Sequence, residues 1–239
     1  MLVEIWSDVV CPWCYIGKRR FEAALARFEH AADVEVRWKS FELDPSAPFR
    51  RSGTMSGHLA AKYGMTVEAA EQRLADLDRL AAAEGLDFHL QDTKGGNTFS
   101  AHRLVHLGYE YDPDVGGKVK EALLHAYFGE CRPASDPEVL VEVGVAAGLD
   151  PSQVEDLVSG DRFAGAVRAD EAEAAALGCT GVPFFVVDRA VAVPGAQDSE
   201  TFLNVLRKAW AQSHPVEMVG AGNPALGGEG ACAGGSCVI

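Results

Sequence analysis

No run of eighteen or more apolar residues occurs in this chain, so no segment has the length and hydropathy of a membrane-spanning helix. The opening residues Met1-Leu2-Val3-Glu4 lack the basic start and apolar core of a secretion signal, and the expected location is the cytoplasm. Positive charge is scarce: 21 Lys and Arg stand against 35 Asp and Glu, a formal net charge of −14. Such a surface repels phosphate backbones and anionic lipid, which argues against nucleic-acid and membrane partners; solubility alone accounts for the acidity. Neither a Gly-x-Gly-x-x-Gly fingerprint nor a Walker loop is present, so no organic cofactor is expected. Cysteines are few and unevenly placed, at 11, 14, 131, 179, 232 and 237. That spacing excludes the disulfide framework of a small secreted fold.

What is present is enough for a substantial core: 48% of the 239 residues are hydrophobic and 23% are charged. Leu2 to Trp6 reads as a buried strand. Phe21, Ala24, Leu25 and Phe28 then recur at helical spacing, and Val34 to Trp38 alternates as a second strand. Residues 42 to 53 have loop composition. Beyond them the pattern is helical for over a hundred residues, over Ala60–Gly64, Val67–Gly85, Ser100–Gly108 and Val115–Gly129, with a glycine closing each segment. Ser135 and Glu138 form a capping box in which Asp136, before Pro137, competes for the cap. Asp150 caps the next helix, and an alanine-rich helix covers Phe163 to Leu177. Phe184–Val187, a turn at Asp188-Arg189, and Val191–Val193 read as a hairpin, followed by a helix over Ser199–Ala211.

The outline is an α/β, thioredoxin-like order, β-α-β then β-β-α, interrupted by a large all-helical insertion. The expected parts are 1–53 with 179–212 for the thioredoxin-like domain and 54–178 for the helical insertion. A Gly-rich tail, 213–239, carries no periodicity and should be flexible.

Cys11-Pro12-Trp13-Cys14 falls where the first strand turns into the first helix. The first turn of a helix presents unpaired N–H groups and the positive end of its dipole, which favours a thiolate at Cys11. Cys14, one turn on, is placed to resolve a mixed disulfide. Pro12 suits the first helical position because its missing N–H costs nothing there. Trp13, unlike a charged histidine, adds nothing to thiolate stability, so the expected potential is less oxidising than that of a Cys-Pro-His-Cys site. Two reduced core cysteines, or half of a zinc site, are the blander accounts of the pair. The strand-then-helix setting in a cytosolic chain favours redox chemistry.

A thioredoxin-like site needs a facing loop, and Thr180-Gly181-Val182-Pro183-Phe184 has the composition for it. A cis Pro183 would hold the Val182 backbone extended beside Cys11 for a substrate chain; an ordinary trans proline before an edge strand is the alternative. At these residues the chain resembles the DsbA-like thiol-disulfide oxidoreductases, most closely the FrnE-like branch. Ser7–Gly17, Asn97–Leu104, Gly181–Phe185 and Gly195-Ala196-Gln197 carry the resemblance, which covers nearly everything but the tail. It implies disulfide exchange or isomerisation by Cys11 and Cys14, a cis Pro183, and substrate contacts from Val182, Pro12 and Trp13. The partners it implies are disulfide- or thiol-containing proteins, with glutathione or another low-molecular-weight thiol as reductant.

The same resemblance extends to 2-hydroxychromene-2-carboxylate isomerases and kappa-class glutathione transferases, in which serine stands at the position of Cys11. Both cysteines are present here, which argues against that glutathione-dependent chemistry, the second reading.

Three further features stay outside the redox pair. Asn97 to His102 reads equally as groove lining or as a cap with a surface histidine. Cys179 could approach Cys11 in a regulatory disulfide but is better accounted for as a small buried hydrophobe, and Cys131 has no partner in sequence. Cys232 and Cys237 form a Cys-x4-Cys pair in the tail. Fifteen residues separate Glu217 from Cys232, a reach of about 20 Å, so the pair could act as a second redox centre at millimolar effective concentration. Four-thiolate zinc binding with Cys11 and Cys14 is a weaker reading at such unequal spacing, as is a pair of accidental thiols; no metal is expected.

Overall fold

The computed structural model describes residues 1–215; Cys232 and Cys237 lie outside the described residues. Four strands form one mixed sheet in the order β2-β1-β3-β4. β1 (Leu2–Ser7) runs parallel to β2 (Glu35–Ser40) and antiparallel to β3 (Phe184–Val187), which pairs with β4 (Val191–Pro194) through the Asp188-Arg189 turn. Asp188 and Arg189 have positive φ, 46° and 56°, in a three-residue connection closed by the Ala190 amide donating to the Val187 carbonyl at 3.0 Å.

β1 is central and buried on both faces. Val3 and Ile5 enter the main core with Phe21, Phe185 and Phe202, whereas Trp6 packs with Phe184, Val186 and Ala174 on the opposite face. Glu4 interrupts this apolar run, and Arg189 satisfies it: Nη2 donates to Oε1 at 2.6 Å. α1 (Pro12–Leu25) follows β1 and packs on α9 (Ser199–Ser213), with Phe21 edge-on to Phe202 at 5.7 Å.

Between β2 and β3 lie α2 (Met55–Tyr63), α3 (Val67–Ala83), α4 (Phe99–Tyr111), α5 (Pro113–Phe128), α6 (Pro137–Ala146), α7 (Pro151–Ser159) and α8 (Ala164–Ala176). α2 begins earlier than the sequence pattern suggests because Thr54 caps it, its side chain accepting from the Gly57 amide. α4 does not end at Gly108. That glycine marks a crossing, where an added Cβ would lie 2.8 Å from the Gly116 Cα of α5. The stop comes at Asp112-Pro113, where Asp112 caps α5. Gly64 ends α2 in the left-handed conformation, but Gly129 ends α5 at φ −88°, in the right-handed one. Asp136, not Ser135, caps α6, accepting from the Glu138 amide. The architecture is thioredoxin-like, β-α-β then β-β-α, with seven helices inserted between β2 and β3.

Candidate active site

The turn from β1 into α1 places Cys11 at the helix cap and Pro12 at the first helical position. Cys11 is 4% exposed and lines a cavity of about 1060 Å³; Cys14 is fully buried behind it and does not line that cavity. The Cys14 amide donates to the Cys11 carbonyl at 3.0 Å, closing the first turn. Burial and the hydrogen bond with Cys11 push the Cys14 thiol well above its usual value, whereas Lys120 and the Asp8 amide act the other way. Trp13, between the cysteines, is 44% exposed and sits at the cavity mouth.

The facing loop enters β3 at the end of the sheet where β1 leaves, because Phe184 pairs with Trp6. Val182-Pro183 is a cis peptide bond, and the Cys11 thiol donates to the Val182 carbonyl at 3.5 Å. Gly195 to Gln197 brace this loop: the Gly195 amide donates to the Pro183 carbonyl at 2.8 Å, and Arg20 of α1 holds the Ala196 carbonyl at 2.8 Å. Gly17 of α1 faces the same corner, where a Cβ would lie 3.0 Å from Pro183 Cγ. Cys11, Cys14, Pro12, Trp13, Val182 and Pro183 are therefore gathered in one place.

Cys179 instead packs with Trp6, Phe184 and Val186, its thiol donating to the Gly181 carbonyl at 3.2 Å. Cys131 donates to the His89 carbonyl at 3.5 Å. Neither lines the Cys11 cavity. Among the described residues no cluster of three or more His, Cys, Asp or Glu could hold a metal ion.

His102 is not at the surface. It is 1% exposed on α4, and its Nε2 lies 3.2 Å from Asp8 Oδ1. Asp8, three residues before Cys11, also accepts from the Leu43 amide at 2.8 Å. Burial alone would raise the Asp8 carboxyl, but His102, that amide and Lys120 outweigh it and hold it below its usual value. Asn97 serves the local chain, its Oδ1 accepting from the Phe99 amide at 2.9 Å, and also reaches Glu42. Lys120 of α5 completes the floor, with Nζ donating to the Ser7 carbonyl at 3.3 Å.

The cavity continues away from Cys11 between the first loop and the α2–α3 pair. Met55, Leu59, Leu74, Leu77 and Leu80 give it an apolar wall, and Arg51, Lys62 and Arg73 stand along it.

A dithiol at a helix cap, faced by a cis-proline loop on a β2-β1-β3-β4 sheet, defines a thioredoxin-class protein. Residues 2–207 match the DSBA-like thioredoxin domain family, and the chain belongs to that family of disulfide oxidoreductases, which act on thiol or disulfide substrates. A solved structure described as a probable DsbA oxidoreductase from Streptomyces coelicolor is 46% identical, with a TM-score of 0.85 over 92% of this chain and 94% of that one. A cytosolic disulfide reductase, DsbM from Pseudomonas aeruginosa with GSH, shares the fold at 19% identity and a TM-score of 0.62, covering 88% of this chain and 99% of its own. A 2-hydroxychromene-2-carboxylate isomerase shares it at 16% identity and 0.66, covering 89% and 98%.

Proposed function

We propose that this protein is a thiol-disulfide oxidoreductase with Cys11 as attacking thiol and Cys14 as resolving thiol. The observation that carries the reading is the asymmetry of the pair: Cys11 opens onto the cavity beside the Val182 carbonyl, and Cys14 is sealed beneath it. A substrate sulfur can reach the first thiol and not the second.

In the reducing direction the Cys11 thiolate attacks a substrate disulfide, one substrate sulfur leaves, and a mixed disulfide forms. Cys14 then attacks Cys11, releasing the second substrate sulfur and leaving Cys11–Cys14 oxidised. The reverse sequence oxidises a substrate dithiol. The Val182 backbone offers the edge along which a cysteine-bearing chain lies, Pro183 fixes that edge, and Trp13 and Pro12 form the rim. Glutathione or another small thiol would return the oxidised pair to the dithiol. The cytoplasm and a relay through Cys232 and Cys237 belong to the same proposal.

Insulin reduction and refolding of a scrambled disulfide protein test it. Wild type should turn over in at least one assay, Cys11→Ser should be inactive, and Cys14→Ser should accumulate mixed disulfides identifiable by mass spectrometry. Absence of exchange in wild type, with turnover of a small glutathione-dependent substrate retained in Cys11→Ser, would instead establish isomerase chemistry.

A further inference from the structure

The cavity beside Cys11 is larger than one small thiol needs. Its volume of about 1060 Å³ lies at the top of the range of about 300–1,000 Å³ that small-ligand sites occupy. α2 and α3 carry its apolar wall, and each adds one exposed cation to the lining, Lys62 from α2 and Arg73 from α3.

The charged groups of this lining are not equivalent. Asp44 accepts from Arg51 at 2.8 Å, and Arg51 also donates to His58 Nε2 at 2.8 Å. Asp76 pairs with Arg79 of its own helix and accepts from Gln72 at 2.8 Å. Asp8 is bonded to His102 and to the Leu43 amide. Each lining carboxylate is therefore engaged within the protein, and so is Arg51. Lys62 lies over the exposed Tyr63 ring, 5.6 Å from its centroid. Among the described residues neither Lys62 nor Arg73 makes an ion pair or a side-chain hydrogen bond. Every other arginine does: twelve pair with a carboxylate. Arg103 is held instead by the carbonyls of Leu157, Gly160 and Arg162. In a chain of net charge −14, the arginine left without an acceptor stands on the Cys11 cavity.

Two uncommitted cations beside an apolar wall complement an apolar body that carries a negative charge. The dithiol reading, on which this inference rests, seats a cysteine-bearing chain at the Val182 edge, and the cavity runs on from there along the wall. We infer that Lys62 and Arg73 are specificity-determining residues, selecting substrate segments in which an apolar residue and then an acidic one lie outward from the reacting cysteine. The net charge makes this preference diagnostic. Acting as a whole, the protein's surface repels an acidic peptide and attracts a basic one. A local site is needed to invert that order.

Peptides containing Cys-Leu and one Glu, Gln or Lys test the inference. The charged residue is moved outward one position at a time on either side of the cysteine, which is presented as a mixed disulfide with 2-thiopyridine. Cys11 attacks the peptide sulfur, the S–S bond to thiopyridine breaks, and the leaving group takes up the proton given up by Cys11 and is read by absorbance. Cys14 then attacks Cys11, and the peptide departs as a thiol with the proton from Cys14. The enzyme dithiol is oxidised by two electrons as the mixed disulfide is reduced to two thiols.

At low ionic strength and at one or more positions, wild type should reach its half-maximal rate at about fivefold lower concentration of the Glu peptide than of the Lys peptide. Limiting rates should be similar, with the Gln peptide between the two. Arg73→Glu should abolish the preference, and Lys62→Glu/Arg73→Glu should reverse it. Lys208→Glu, the same change of sign on an exposed residue of α9 outside the cavity, should leave it intact. Lys peptides bound as well as Glu peptides at every position would overturn the inference. So would a preference that Lys208→Glu alters as much as Arg73→Glu does. Either result leaves the dithiol reading standing. A peptide that stays attached to Cys11, with no Cys11–Cys14 disulfide detected by mass spectrometry, would sink both.

Discussion

The α4–α5 pair and the α2–α3 pair both lie between β2 and β3, yet they meet the dithiol in different ways. α4 and α5 cross closely at Gly108 and Gly116 and send His102 and Lys120 under the β1–α1 turn. Their inner faces are continuous with the main core through Leu104, Leu107, Leu123 and Leu124. α2 and α3 bury much less, chiefly Ala60, Ala70, Leu74 and Ala81, and their partly exposed leucines form the far wall of the cavity. One pair is a floor and the other a wall. Changes in the floor should register as stability and dithiol chemistry, and changes in the wall as substrate binding.

Asp8→Ala should have the largest effect on that contrast. It leaves His102 and the Leu43 amide without their buried partner and removes a carboxylate that favours the charged form of Lys120. Breaking a buried pair from one side costs about 3 kcal/mol or more, so the urea midpoint should fall sharply. A midpoint within experimental error of wild type would show that the floor is not a structural unit.

Gly108→Ala comes next. Alanine ordinarily stabilises a helix interior relative to glycine, but here its methyl group would meet the α5 backbone. A loss of about 1–3 kcal/mol in chemical denaturation is expected, and a gain would show that the crossing is loose.

Glu121 of α5 offers a subtler test through pH. It accepts from Tyr15 at 2.6 Å and pairs with Lys18 and Arg19 of α1. Burial would raise its carboxyl, but Arg19, Lys18 and Tyr15 pull it from 4.5 down to about 2. Because the folded value lies below the unfolded one, this contribution is complete above about pH 4.5 and lost as pH falls toward about 2. In Glu121→Gln, stability measured against pH should be lower at neutrality and flatter across that acid window. A parallel acid limb would count against the cluster.

The smallest effect belongs to the wall. Leu77→Ala should raise KM for a peptide disulfide severalfold while shifting stability by less than about 1 kcal/mol, since the side chain is only partly buried. An unchanged KM would move the substrate path elsewhere along the cavity.

The placement of Cys11 and Cys14 at the start of α1 could be read from sequence because it is local. Cys-Pro-x-Cys between a strand pattern and a helix pattern needs only four consecutive residues and one proline rule. The Pro183 loop was legible for the same reason, though its approach to Cys11 depends on the pairing of β1 with β3. The floor was harder, since Asp8 meets His102 across 94 residues and Lys120 meets Ser7 across 113. A signal for Lys120 nevertheless existed. Gly116, Lys120, Leu123, Leu124 and Tyr127 share one helical face, all of them buried, and a lysine on such a face needs a partner. Reading glycine as a helix stop worked at Gly64 and misplaced the end of α4, because the same residue also permits close helix crossing.

Gly17 belongs to α1 but faces the Pro183 corner, where a single methyl group would already press on the ring at 3.0 Å. The clearance between the helix that carries Cys11 and Cys14 and the loop that carries Pro183 is thus set by a side chain that is absent. Any residue larger than glycine there would act as a shim, widening the gap between Cys11 and the Val182 carbonyl without touching either. Position 17 is therefore a dial on the aperture of the site, adjustable without altering any reacting atom.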